Sequence, residues 1–351
     1  MRSSEDFEAD APNNSIVEVA ALAEVSTATV SRVLSGRRRK NDDIAKKVRR
    51  AAATLHYSGN SAAKALRSKI SNILAIVMPK PIDFFSSQII SELEPAAKNI
   101  GKDLLVALAA NQQELDEQIL TLATRGIDGL IVIPPAQCSL EESLCKLSAP
   151  MPIVQLTGQS PKPPVDLIGI DVTAAMHEAV THLADRNATS IAFLSPNLDS
   201  DGVSNALIEF QSSDQITKLI REPEWTTFGA RTIKRGYEDA LRIFNTETNR
   251  PDGIICGNDQ IALGALEALQ QLHITVPQEV GIVSFGDSPL ATMADPPITS
   301  VKPPYQAMVT EAMRLILQST HHFHPHTTFP PEIVARESTS SPRIGVSDIA
   351  D

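Results

Sequence analysis

The sequence is poor in the residues that mark several large classes of protein. It has three cysteines in 351 residues, Cys138, Cys145 and Cys256, an odd number without metal-ligand spacing. That excludes a disulfide framework and predicts buried thiols in a reducing cytoplasm. No apolar run reaches the roughly 18 residues a membrane-spanning helix needs. Residues 1–13 are polar and acidic, unlike a signal peptide, and read as a disordered tail. No G-x-G-x-x-G, G-x-x-x-x-G-K-[ST] or G-x-S-x-G occurs. The usual nucleotide and hydrolase signatures are therefore missing, and neither an enzyme nor a bound cofactor is expected. His177-Glu178-Ala179-Val180-Thr181-His182 misses zinc-protease spacing, because a second His five residues on lies about 140° around a helix from the first. Aromatic residues make up only 4% of the chain, and Trp225 is the single indole.

What is present is a sharply uneven distribution of charge. The formal net charge is −11, yet residues 14–70 carry 12 Lys and Arg against 4 Asp and Glu. Residues 71–351 carry 18 against 34. A basic head on an acidic body suits a protein whose head meets phosphates and whose body does not.

The head is built around Ser15–Gly36. Ser15 and Glu18 form a capping box opening a short helix with Ile16, Val19, Ala20 and Ala23 on its apolar side. Ser26 caps a second helix on which Val30, Val33 and Leu34 face inward and Thr27, Ala28, Thr29, Ser31 and Arg32 form the other side. This is the helix-turn-helix pattern, and its second helix suits a DNA major groove, with Arg32 matched to a guanine edge or a phosphate. Glu24 stands in the turn, where the motif usually carries Gly. A third helix is predicted from a cap at Asn41 to near His56, with Ile44, Val48, Ala52 and Leu55 closing the core. The run Arg37-Arg38-Arg39-Lys40 beside the reading helix suits phosphate contact. Residues 14–57 thus form a DNA-binding head, and 58–71 a polar linker with a short helical stretch at 62–67.

The body, 72–340, alternates strand and helix, the signature of an α/β fold with parallel sheets. A second series is expected to begin near residue 165, after Pro161-Lys162-Pro163-Pro164. Two such units side by side leave a cleft, and ligands bind beyond the carboxyl ends of the strands. The residues there are Asp83, Phe84, Phe85, Asn111 and Pro135 in the first unit and Asn258, Asp259 and Asp287 in the second. Trp225 is placed with them. Aromatic faces with Asn and Asp suit a carbohydrate or sugar acid. His321, His322, His324 and His326 alternate as an extended chelator does, but a polar loop accounts for them, and no metal is expected.

VEVAALAEVSTATVSRVL followed by AAKALRS resembles the head and hinge of the LacI/GalR family of bacterial transcription regulators. Further motifs are similar to the family's along the body: DFF at 83–85, IDGLIVIP at 127–134, PDGIICGNDQIALGALEAL at 251–269, VPQEVGIVSFGD at 276–287, PPITSV at 296–301 and ARES at 335–338. The resemblance covers roughly residues 14–340. It implies a three-helix head, a hinge helix and a body like periplasmic binding proteins, whose chain crosses three times between subdomains. These are expected at about 72–164 with 303–330, and about 165–302 with 331–340, leaving 341–351 as a tail. It places Leu66, near Lys64, as the side chain that wedges into the minor groove of double-stranded operator DNA. The chain departs from the family's G-F-D-D by having Gly286 before Asp287. It also has Leu207 nearest the position of an arginine often aimed at the effector, and RGYEDAL at 235–241 resembles that arginine's context.

The function expected is a regulator, in the repressor sense, of a carbohydrate or sugar-acid operon, responding to a sugar, sugar acid or phosphate derivative. It is expected as a homodimer on a near-palindrome, since no leucine-heptad tail follows Ser340, and in the bacterial cytoplasm, on the nucleoid when DNA-bound. The alternatives are the same role under control of a partner protein with the cleft vestigial, an enzyme, or a transport-type sugar-binding protein.

Overall fold

The computed structural model describes residues 15–34, 38, 42–55, 57, 71–148, 151–157, 165–197, 201–212, 218–245, 249–318 and 324–340. Arg37, the linker with Lys64 and Leu66, His321, His322 and the stretches 1–13 and 341–351 lie outside the described residues. The chain divides into two compact units, Met1–Ser71 and Asn72–Asp351.

The first unit holds α1 (Ile16–Leu22), α2 (Thr27–Leu34) and α3 (Asp43–Thr54). The capping box forms as its spacing predicts: the Glu18 carboxylate accepts from the Ser15 N–H at 3.0 Å and Ser15 Oγ accepts from the Glu18 N–H at 3.3 Å. The cap of α3 is Asp42, whose side chain accepts from the Ala45 N–H at 3.0 Å, one residue after the cap expected at Asn41. A hydrogen bond from Arg38 holds the Asp42 carboxyl below its ordinary range, helped by that backbone N–H. Val19, Ala20, Ala23, Val30, Val33, Ala45, Val48, Ala51 and Ala52 make the core. Ile44 was expected in this core but is 40% exposed, while Ala45 is fully buried. Val48 and Ala52 face inward as expected, and Ala45 in place of Ile44 completes that face with Ala51. Leu34, expected to face inward, is likewise exposed at the helix end.

The second unit begins with β1 (Ile73–Pro79), α4 (Phe84–Asn99), β2 (Asp103–Ala109), α5 (Gln112–Thr124) and β3 (Gly129–Val132). Next come α6 (Glu141–Lys146), β4 (Ile153–Leu156), β5 (Asp166–Ile170), α7 (Val172–Ala184), β6 (Ile191–Pro196) and α8 (Asp201–Ser212). After a 3-10 turn at Pro223–Trp225 follow β7 (Thr226–Gly229), α9 (Ile233–Phe244), β8 (Gly253–Cys256), α10 (Asp259–Gln271) and β9 (Gly281–Phe285). The chain closes with α11 (Pro289–Met293), β10 (Thr299–Lys302), α12 (Tyr305–Leu317), β11 (His326–Phe329) and β12 (Glu332–Val334).

Two sheets result, ordered β11-β5-β4-β3-β1-β2 and β12-β10-β9-β8-β6-β7. Every pairing is parallel except that of β12 with β10. Helices cover both faces, so the central strands are continuous apolar runs. Leu74, Ile76 and Met78 of β1 pack with residues of α4 and α12, while Ala75 and Val77 face Leu115 and Ile119 of α5. In the second sheet α9 and α10 touch backbone to backbone. A Cβ on Gly236 would lie 2.1 Å from the Ile261 carbonyl oxygen, so only glycine fits there.

The boundary expected near residue 165 needs correction. β5 (Asp166–Ile170) was expected to open the second unit, but it pairs with β4 and β11 in the first sheet. The chain crosses after Ile170, after Lys302 and after Phe329, each time at the carboxyl end of a strand. Those three crossings bring the carboxyl edges of both sheets toward each other.

Candidate nucleic-acid interface and effector cleft

On α2 the two faces separate as the pattern requires. Val30 and Val33 are buried, whereas Ser26, Thr27, Ala28 and Arg32 are exposed and Thr29 and Ser31 half-exposed. Ser26 Oγ accepts from the Thr29 N–H at 3.2 Å, so the cap that starts α2 also fixes its outward turn. Val25 N–H donates to the Ala20 carbonyl at 3.0 Å, closing the turn, and Glu24 takes φ 56° within it. The exposed face is short, small and hydroxyl-rich, with one guanidinium at its carboxyl end. Such a surface lets a helix approach base edges closely.

The sequence-chosen cleft residues fall into two groups. Asp83, Asn111 and Asn258 cap α4, α5 and α10, accepting from the N–H groups of Ser86, Glu114 and Ile261. Each uses one oxygen for its helix. Phe84 and Phe85, in the first turn of α4, are half-buried, and the Phe85 ring lies 5.7 Å from that of Tyr305. Tyr305 begins α12 in the first subdomain, and its hydroxyl donates to the Gly286 carbonyl of the second at 3.0 Å. Burial raises the Tyr305 pKa, and the charges of Asp259, Asp287 and Asp83 act in the same direction. Phe85, Tyr305, Gly286 and Asp287 are thereby gathered where the two carboxyl edges meet.

Others serve the fold instead. Asp259 is 4% exposed, with the Ser284 hydroxyl 2.5 Å from Oδ1 and the Ser288 N–H 2.7 Å from Oδ2. Both its oxygens are occupied, so it ties α10 to the end of β9. Asp287 forms an ion pair with Arg336, lies 3.8 Å from Lys302 Nζ, and donates its N–H to Ser300 Oγ at 2.9 Å. Pro135 is buried. Trp225 corrects the sequence reading most plainly: it is 5% exposed, in the core with Leu194, Ala240 and Ile254. It precedes β7, so it stands at the amino end of that strand, away from the carboxyl edge.

Sequence reasoning missed Tyr305 and undervalued Arg235. Tyr305 had a usable signal, an aromatic opening a helix directly after the crossing at Pro303-Pro304. Arg235 donates to the Ser195 carbonyl at 2.7 Å and to Thr227 Oγ1 at 2.5 Å, and its Nε lies 2.6 Å from Asp239. It fastens α9 to the ends of β6 and β7. Among the described residues no group of His, Cys, Asp and Glu has the arrangement to hold a metal ion, and His324 instead lies 3.1 Å from Asp166.

Comparison with known proteins converges on this picture. Residues 15–60 match the family described as bacterial regulatory proteins, lacI family, and residues 180–339 match the periplasmic binding protein-like domain. The chain is 28% identical over 334 residues to the HTH-type transcriptional regulator DegA of Bacillus subtilis, across 93% of this chain and 98% of that one. It is 24% identical over 328 residues to the ribose operon repressor of Haemophilus influenzae, across 92% and 98%. The lac repressor dimer bound to operator and the anti-inducer ONPF shares the fold, with a TM-score of 0.79 at 22% identity over 93% of this chain and 98% of that one.

Proposed function

Because the chain belongs to the LacI family of bacterial regulatory proteins, we propose that it represses a carbohydrate-utilisation operon, binding a near-palindromic operator as a homodimer under control of a small effector. The observation that carries this is α2, with Val30 and Val33 buried and Ser26, Thr27, Ala28 and Arg32 presented outward. Two such helices on a twofold axis read two half-sites, with Arg32 at a guanine edge and Arg37, Arg38 and Lys64 on phosphates. Leu66 wedges between central base pairs, at an unstacking cost of a few kcal/mol offset by bending. The edge of β2, with Val106 45% exposed, is unpaired among the described residues and supports association with a second copy.

The cleft between the carboxyl edges receives the effector, with Phe85, Asp83, Asn111 and Asn258 as its contacts. Seating it alters how the subdomains meet and hence where residue 71 leaves the body. A coupling of about 1–3 kcal/mol changes operator occupancy by roughly 5–150-fold. The protein works in the cytoplasm, on the nucleoid when DNA-bound. The test is a salt titration of operator affinity: about eight phosphate contacts give a log–log slope near −7. A flat titration removes DNA binding as the function.

A further inference from the structure

At the amino edge of the first sheet, the end remote from the cleft, three residues stand immediately before three neighbouring parallel strands. Asn72 precedes β1, Lys102 precedes β2 and Asp128 precedes β3, with β1 between the other two. Asn72 is gripped from both sides. Its carbonyl accepts from the Asp103 N–H at 2.8 Å, and its own N–H donates to Asp128 Oδ2 at 2.8 Å. The Asp128 N–H in turn donates to the Ile73 carbonyl at 2.8 Å, so the gripping residue is itself set by the strand it serves. Lys102 Nζ lies 2.5 Å from the same Oδ2, and the two side chains are only 13% and 12% exposed. An enclosed carboxylate held by a countercharge makes a strong, directional acceptor for an N–H. Asn72 is exposed and takes φ 60°, a left-handed conformation that asparagine tolerates and β-branched residues avoid.

The second sheet repeats this tie at a place where no linker enters. Asp252, immediately before β8, accepts from the N–H of Thr189 at 3.0 Å and of Ser190 at 2.9 Å, ahead of β6. An aspartate before one strand thus fixes the entry of its neighbour in both subdomains, which is a service to the fold. At Asp128 the fixed residue is also the first of the body, and the chain ahead of it leads from the head. Two heads on one duplex are tethered through that residue in each protomer. Once the first head is bound, the second meets its half-site at an effective concentration that falls as the tether loosens.

We propose that Asp128, held by Lys102, is a positioning residue for operator binding: its grip on the Asn72 N–H fixes where and in which direction the linker leaves the body. The inference rests on the reading of the chain as a homodimer on a near-palindrome. Loosening the grip costs affinity for a duplex with two half-sites and leaves the affinity of each head for one half-site untouched.

The test uses the full-length protein and a two-half-site duplex that the parent selects from a random-sequence library, with a duplex cut to one half-site beside it. Fluorescence anisotropy gives the ratio of the two affinities. Asp128→Ala should lower that ratio about fivefold or more, through the two-site duplex alone. Asp252→Ala removes the matching tie in the second subdomain, and should lower the melting temperature while keeping the parental ratio. Asn72→Val disfavours the left-handed exit at an exposed position and should lower the ratio in the same direction, which carries the test where Asp128→Ala fails to fold. The inference is overturned if Asp128→Ala or Asn72→Val binds with the parental ratio, if both duplexes weaken alike, or if Asp252→Ala loses the ratio as much as Asp128→Ala. A parent that selects no duplex, or binds two half-sites no better than one, instead removes the reading as a dimeric DNA binder, and the inference with it.

Discussion

Glu24 holds φ 56° in the turn between α1 and α2, a left-handed conformation that costs an L-residue with a Cβ about 1–2 kcal/mol. Its carboxylate lies 3.6 Å from Lys47 Nζ, but both side chains are largely exposed, so that pair returns at most about 1 kcal/mol. Glycine relieves the backbone and gives back part of the gain as unfolded-state entropy. Glu24→Gly should therefore stabilise the head by roughly 0.5–1 kcal/mol. Circular-dichroism melting of the full-length protein should show the transition of the head move upward. A downward shift would mean that the Lys47 contact outweighs the strain.

At the level of elements, the strands and helices were legible wherever a run was long and bounded. The helices Gln112–Thr124 and Asp259–Gln271, opened by Asn111 and Asn258, are of this kind. Strand β10 (Thr299–Lys302) was not anticipated, since TSVK is four residues without a clear apolar run. Strand β7 (Thr226–Gly229) carries little local signal, because it is a short edge strand whose support comes from β6. Trp225 and Asp259 looked like ligand residues because composition cannot distinguish a polar group aimed at a cleft from one tied into a neighbouring element. The same limit hid the tie between α7 and the 3-10 turn at Glu337–Thr339. There His182 Nε2 lies 2.8 Å from Thr339 Oγ1, and Nδ1 lies 3.0 Å from an Arg186 nitrogen. Burial, aided by the Arg186 charge, lowers the His182 pKa to about 4. The folded imidazole stays neutral while an unfolded one protonates near pH 6.5, so between those values the unfolded chain binds more protons. Stability is then full above pH 6.5 and falls as pH drops toward 4, by an amount on the order of 2–3 kcal/mol. Denaturant midpoints measured from pH 7.5 to 4.5 should show this limb in the parent, and a shallower one in His182→Asn. Parallel profiles for the two proteins would remove His182 as its source.

Over the whole molecule, the uneven charge and the ordered motifs already separated a basic head from an acidic body. The manner in which the two sheets are joined could be seen only in three dimensions. Three crossings at strand ends join the two sheets, and the Tyr305 hydroxyl on the Gly286 carbonyl at 3.0 Å is a specific latch across that joint. The ring itself is held by the first core and stacks near Phe85, so Tyr305→Phe should keep the packing and lose only the latch. A hydrogen bond of this kind contributes about 0.5–1.5 kcal/mol. Body stability should fall by that amount, a shift of roughly 2–4 °C in melting for a unit of this size. A loss of about 1 kcal/mol from one of two subdomain arrangements also shifts their ratio by roughly fivefold. On the proposed function, effector and operator bias the same equilibrium, so the ratio of operator affinities with and without effector should move by a similar factor in Tyr305→Phe. Fluorescence-anisotropy titrations on operator DNA, with and without a saturating effector, measure that ratio directly. If the variant melts lower but keeps the parental ratio, Tyr305 contributes packing and stability alone, and the joint between the sheets is biased by other contacts.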